Sequence, residues 1–332
     1  DLTIQILALQ VIRELVLSTK VNQEMFFQVG GAQIILELLV SSSSSDRVKC
    51  TSIEILCILS SLRDGRREIA NRSGVSFIIE AMKAGSMDAK ARGAHALGLL
   101  SFTKRIRRMI VNAGGIPVLI DILRDGDDMA KLVAGNSLGL ISACVDHLWQ
   151  VAQAGAIPLF IDLLEGVNPH GKDITEDAFC ILAVSEENAL VIMDHLVRIL
   201  QYGSLASKAA AADIIWDLAC YRHSVSVVVL SGAIPVLVGL LKHENDELRE
   251  NVLGAIAQLS KNDEDRQVLA ENGAIPMLVE LLQDPSTEVK GNAAEALHNF
   301  AEDPEYRSHI IDACVAPGAI VFHGDGRDHE RN

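Results

Sequence analysis

The sequence predicts an all-α solenoid of about seven three-helix repeats: one corner motif recurs at a fixed period, and apolar residues between the corners fall at helical spacing. Gly232-Ala233-Ile234-Pro235 returns forty-one positions later as Gly273-Ala274-Ile275-Pro276. Gly155-Ala156-Ile157-Pro158 and Gly115-Ile116-Pro117 place their prolines forty-one apart as well, and weaker copies stand at Gly74-Val75-Ser76 and Gly31-Ala32-Gln33. Composition agrees, since 49% of the 332 residues are hydrophobic and only 4% aromatic. Such a core is made of interlocking Leu, Ile, Val and Ala, which suits stacked helices. A solenoid grows in one dimension, so this length is compatible with one elongated domain.

The corner has a physical reading. Glycine just past a helix takes the left-handed conformation that a Cβ resists, and proline at the first helical position forfeits no hydrogen bond. After Pro235 the apolar residues Val236, Leu237, Leu240 and Leu241 are followed by a polar stretch and a second amphipathic run over 248–259. Each copy therefore reads short helix, corner, helix, polar turn, longer helix.

Taken in order, Leu2 to Leu17 reads as the third helix of a partial repeat, 1–30, whose beginning lies upstream. Full repeats follow at 31–72, 73–113, 114–154, 155–190, 191–231, 232–272 and 273–313. Ser41 to Ser45 widen the first, either as a flexible loop or as a phosphorylation target at the mouth of the next helix. After Pro158 the next equivalent position, Asp194, comes only thirty-six residues on, and no glycine or proline lies between Glu187 and Gln201. The first and second helices are expected to fuse there, as a rigid change of curvature or as a hinge over 185–200. The tail, 314–332, is expected to be disordered. Its His323, Asp325 and His329 have no scaffold on which to gather a metal, so no metal or cofactor is expected.

Gly273-Ala274-Ile275-Pro276-Met277-Leu278-Val279-Glu280-Leu281-Leu282 and Asn292-Ala293-Ala294-Glu295-Ala296-Leu297-His298-Asn299-Phe300-Ala301 resemble the armadillo family, and the resemblance runs over about residues 1–316. It implies a right-handed superhelix whose third helices line a concave groove for a partner. Registered on Asn299, one groove column is Ile58, Leu99, Leu140, Ile181, Asp217, Gln258 and Asn299. Four residues earlier run Glu54, His95, Asn136, Asp177, Asp213, Gly254 and Glu295. Importin-like members repeat asparagine in the first column and tryptophan in the second. Here Asn299 alone matches, and Trp216 sits one place before Asp217. Catenin-like members present a basic groove, which these columns lack.

The charge is uneven. Residues 1–125 carry sixteen Lys and Arg against twelve Asp and Glu, and the remainder thirteen against thirty-two, for a net −15. The implied groove is apolar toward its start and acidic toward its end, and matches a protein or peptide segment with apolar anchors and basic residues. Uncapped solenoid ends are a further route, to self-association. A basic patch, Arg66, Arg67, Lys104, Arg105, Arg107 and Arg108, reads as ordinary solvated repeat sequence, as a nuclear-address patch, or as a contact for anionic lipid or nucleic acid. The net negative charge argues against nucleic acid. Six cysteines without C-x-x-C spacing read as reduced thiols of a soluble cytoplasmic or nuclear protein.

No G-x-S-x-G, P-loop, H-E-x-x-H or paired-cysteine site is read in the chain, so no enzyme is expected. The favoured reading is a protein-interaction scaffold or adaptor. The alternative is the substrate-recognition arm of a ubiquitin ligase, as in the U-box and BTB-associated proteins that carry similar repeats.

Overall fold

A computed structural model of the chain describes residues 2–41, 44–220 and 224–315. It contains twenty-two helices and no strand among the described residues. The chain divides into two compact units, Asp1–Asn188 and Ala189–Asn332.

In the first unit α1 (Leu2–Ser18) precedes four triplets: α2 (Lys20–Gln28), α3 (Gly31–Val40), α4 (Asp46–Ser60); α5 (Arg63–Asn71), α6 (Gly74–Ala84), α7 (Met87–Leu100); α8 (Lys104–Asn112), α9 (Gly115–Asp125), α10 (Asp128–Ser142); α11 (Val145–Gln153), α12 (Ala156–Glu165), α13 (Pro169–Leu182). The third helices α1, α4, α7, α10 and α13 pack each on the next, and the second helices do the same from α3 to α12. The run read as the end of a repeat is thus α1, on α4.

The division into units falls inside α14 (Glu186–Tyr202), one unbroken helix in the slot where every other repeat has two. With no breaker to end the first helix, the second continues it. The expected boundary at 190/191 falls within this helix. The second unit continues with α15 (Leu205–Leu218), α16 (Ser224–Ser231), α17 (Ala233–Leu240), α18 (Asp246–Leu259), α19 (Asp263–Glu271), α20 (Ala274–Leu281), α21 (Thr287–Phe300) and α22 (Pro304–Val315). Cys314 and Val315, counted with the tail in the sequence, belong to α22; residues 316–332, with His323, Asp325 and His329, lie outside the described residues.

The chemistry of each corner repeats. Gly30, Gly114, Gly155, Gly232 and Gly273 stand before the second helices at φ between +69° and +85°, where an L side chain strains. Ser73 takes that place at +59° before α6. In the first three corners the left-handed residue is therefore Gly30, Ser73 or Gly114, one ahead of the glycine that the motif singles out. The prolines also differ from expectation: Pro117, Pro158, Pro235 and Pro276 are third, not first, in their helices. Nothing is forfeited, because the N–H groups of a helix's first turn have no intrahelical acceptor.

Third helices open on a polar cap. Ser45, Ser86, Asp127, Asn168, Ser204, Asn245 and Ser286 each accept a backbone N–H of the first turn, a bond worth about 1 kcal/mol apiece. The third helices α4, α7 and α18 close on an arginine from the next first helix. Arg66 donates to the Ser60 carbonyl at 2.7 Å, Arg107 to Ser101 at 3.0 Å and Arg266 to Ser260 at 3.1 Å, which places cations on the negative end of each helix. Between those ends Leu56, Leu97, Leu138, Phe179, Ile215, Ile256 and Leu297 form the buried column.

Candidate functional site

In the first unit the two candidate columns lie on α4, α7, α10 and α13. Ile58, Leu99, Leu140 and Ile181 are half-buried, so each keeps part of its apolar side chain in contact with solvent. Beside them His95, Asn136 and Asp177 are exposed and make no hydrogen bond or ion pair. Glu54 differs. It is half-buried between Arg13, at 3.4 Å from α1, and Arg92, at 3.2 Å from α7, and its charge is spent bridging three third helices.

In the second unit the columns lie on α15, α18 and α21. Asp217 and Glu295 are exposed, and Asp213 and Gln258 half-buried. Glu295 is paired with Lys261 at 2.9 Å. Two candidates are removed from any partner. Asn299 is buried, its amide donating to the Ala257 carbonyl at 3.2 Å and to Ser260 Oγ at 2.9 Å, so it holds α21 to the preceding repeat. Gly254 is buried beneath Trp216, and a Cβ there would stand 2.6 Å from the indole. The tryptophan absent from the second column is thus laid over that column's glycine.

The basic patch separates into three parts. Arg66 and Arg107 are spent on third-helix carbonyls, as described. Lys104 and Arg108 turn to Asp146, at 3.2 and 3.9 Å, and the Lys104 hydrogen bond and charge hold that carboxyl below its ordinary range. Arg67 and Arg105 remain, Arg105 donating only to Asn71 Oδ1 at 3.1 Å. They line a crevice of about 830 Å³ with Arg63, Arg66 and Phe102. Arg63 and Phe102 escaped the sequence reading, although Arg63-Asp64-Gly65-Arg66-Arg67 repeats the basic slot of Lys104 to Arg108.

The described cysteines are free thiols, and burial pushes Cys50 and Cys57 up to about 12, so neither is a thiolate nucleophile. Gly135-Asn136-Ser137-Leu138-Gly139 matches the nucleophile-elbow pattern G-x-S-x-G, which corrects the reading that the chain has none. Its setting is wrong for that chemistry. Ser137 lies inside α10, fully buried, and its hydroxyl donates to the Ala94 carbonyl of α7 at 2.7 Å. Among the described residues no group of His, Cys, Asp and Glu is placed to hold a metal, and no helix is long and apolar enough to cross a membrane.

The comparisons agree with this architecture. No curated protein matches the chain. Among matching solved structures is the crystal structure of an engineered protein from the Northeast Structural Genomics Consortium, 22% identical, with a TM-score of 0.71 over 94% of this chain and 79% of that one. A likeness at that identity speaks for the fold. The family model described as Armadillo/beta-catenin-like repeat matches residues 223–261 and 262–302. Its phase begins at a first helix, so one match spans α16 to α18 and the other α19 to α21. Armadillo repeats serve in general as protein-interaction scaffolds. Two matched copies thus lie over 223–302, in a described chain that is otherwise built from three-helix units of the same kind apart from the fused α14, the architecture of an armadillo-type solenoid.

Proposed function

We propose that the chain is a scaffold whose third-helix surface in the first unit holds a segment of another protein. The observation that carries this reading is the row His95, Asn136 and Asp177, exposed and unpaired, beside the half-buried Leu99, Leu140 and Ile181. Polar groups left free next to an apolar strip match an extended segment or helix that places apolar side chains on the strip. Asn136 has both a donor and an acceptor for a partner backbone, and Asp177 favours a basic side chain there. In the second unit Asp217 and Glu295 extend the acidic character, with Glu295 already countered by Lys261.

The test is affinity capture with mass spectrometry on the wild type and on Asn136→Ala/Asp177→Lys. Both side chains are exposed and unpaired, so the variant is expected to keep its thermal midpoint and to lose its specific partners. Capture of the same partners by both would remove the reading.

A further inference from the structure

A second surface lies on the first-helix side of the same unit. The crevice between α5 and the turn into α8 is lined by Arg63, Arg66, Arg67 and Arg105, with Asp64 the one acidic side chain among its lining residues. Five other arginines of the unit, Arg13, Arg72, Arg92, Arg108 and Arg124, sit in ion pairs, while Arg47, outside the crevice, does not. Arg63 and Arg67 make neither a hydrogen bond nor an ion pair, and both are exposed. Phe102 stands in the wall, 62% exposed, with the Arg66 guanidinium 4.9 Å from its ring centre. No side chain caps the start of α5, so its positive end opens toward the same space.

We propose that this crevice docks an acidic segment of another protein that carries one aromatic side chain among its carboxylates. Unpaired guanidiniums take carboxylates in charge-assisted pairs, and Arg66, already tied to two carbonyls, presents a held stacking platform beside Phe102. The net charge of −15 repels anionic membranes and nucleic acid as extended surfaces. A short segment inside the crevice feels mainly the nearby arginines, since charges beyond about 8 Å are screened at physiological salt. The second unit supplies a natural contrast. Its crevice between α19 and α22, of about 750 Å³, is lined by Glu302, Asp303 and Glu305 beside Tyr306. The same slot there has the opposite sign and no use for an acidic ligand.

Fluorescence anisotropy with a labelled glutamate-rich peptide around one tryptophan tests the site on the full chain. Arg63→Glu/Arg67→Glu is expected to weaken binding by about tenfold or more, since each lost charge-assisted bond counts strongly. Phe102→Ala should weaken it by about threefold to tenfold. Arg124→Glu, which reverses an exposed cation outside the crevice, should leave it unchanged. Neither Arg63 nor Arg67 has a partner to lose, so circular dichroism should show the fold kept. Absence of binding by the wild type overturns the proposal, as does equal loss on Arg124→Glu. Co-sedimentation with phosphatidylserine vesicles that depends on Arg63 and Arg67 overturns it in favour of a membrane. Asn136→Ala/Asp177→Lys is expected to leave this probe untouched, which separates the two surfaces.

Discussion

Asp265 is the least comfortable residue in the protein, and replacing it should change how stability depends on pH. It is the third residue of α19, 1% exposed, with Oδ1 accepting no hydrogen bond. Equivalent positions in α8 and α11 hold Ile106 and His147, both buried, so the slot belongs to the core. Burial first, and the neighbouring Glu264 second, raise the carboxyl from its ordinary 3.8 to about 7. A folded-state value above the unfolded one means that the folded protein binds this proton more tightly. Its contribution is therefore full below about pH 4 and is lost as pH rises toward 7.

Raising the carboxyl from 3.8 to about 7 corresponds to at most about 4 kcal/mol, so about 2 kcal/mol serves as the working figure. Asp265→Asn keeps the shape and removes the titration. Urea unfolding followed by circular dichroism should find variant and wild type close at about pH 3.5, and the variant about 2 kcal/mol more stable at about pH 8. A constant offset between the two at both pH values would refute the argument, because it would mean that the carboxyl does not change its protonation on folding.

Four further outcomes follow from the packing. Ser73→Gly relieves the one left-handed non-glycine among the described residues and should stabilise by about 1 kcal/mol; an unchanged melting temperature would count against it. Leu97→Ala, at a fully buried site, should cost about 2 to 5 kcal/mol in denaturant titration, and Leu297→Ala, 8% exposed, the lower end of that range. Gly254→Ala forces the Trp216 ring aside, which near-ultraviolet circular dichroism should register as a change in the tryptophan bands. Arg249 and Asp284 form an enclosed ion pair, Nε to Oδ2 3.1 Å; Arg249→Met alone should cost about 3 to 5 kcal/mol, and Arg249→Met/Asp284→Leu should recover most of it.

The fold was legible in the sequence because its determinants are local and periodic. A cap at the third helices, a glycine or serine at each corner and an arginine at several helix ends act within a few residues of themselves, so the period shows them. The fused α14 was legible for the same reason in reverse, since the breakers are missing from its own residues. The surface was much less legible, because whether a side chain is free depends on residues a whole repeat away. Asn299 looked like a groove ligand and is buried by Ala257, forty-two positions earlier; Lys104 and Arg108 looked free and are held by Asp146. The backbone slots themselves carry no function. The first position of the first helices holds Arg63, Lys104, Val145 and Asp263, and the fifth holds Arg67, Arg108, Trp149 and Gln267. One scaffold thus offers a cation, an apolar group or a carboxylate at the same geometric place. What distinguishes one partner from another lies in these departures from the repeat, which is why Arg63 and Phe102 emerge only when the unpaired groups of one crevice are compared with the paired groups around it.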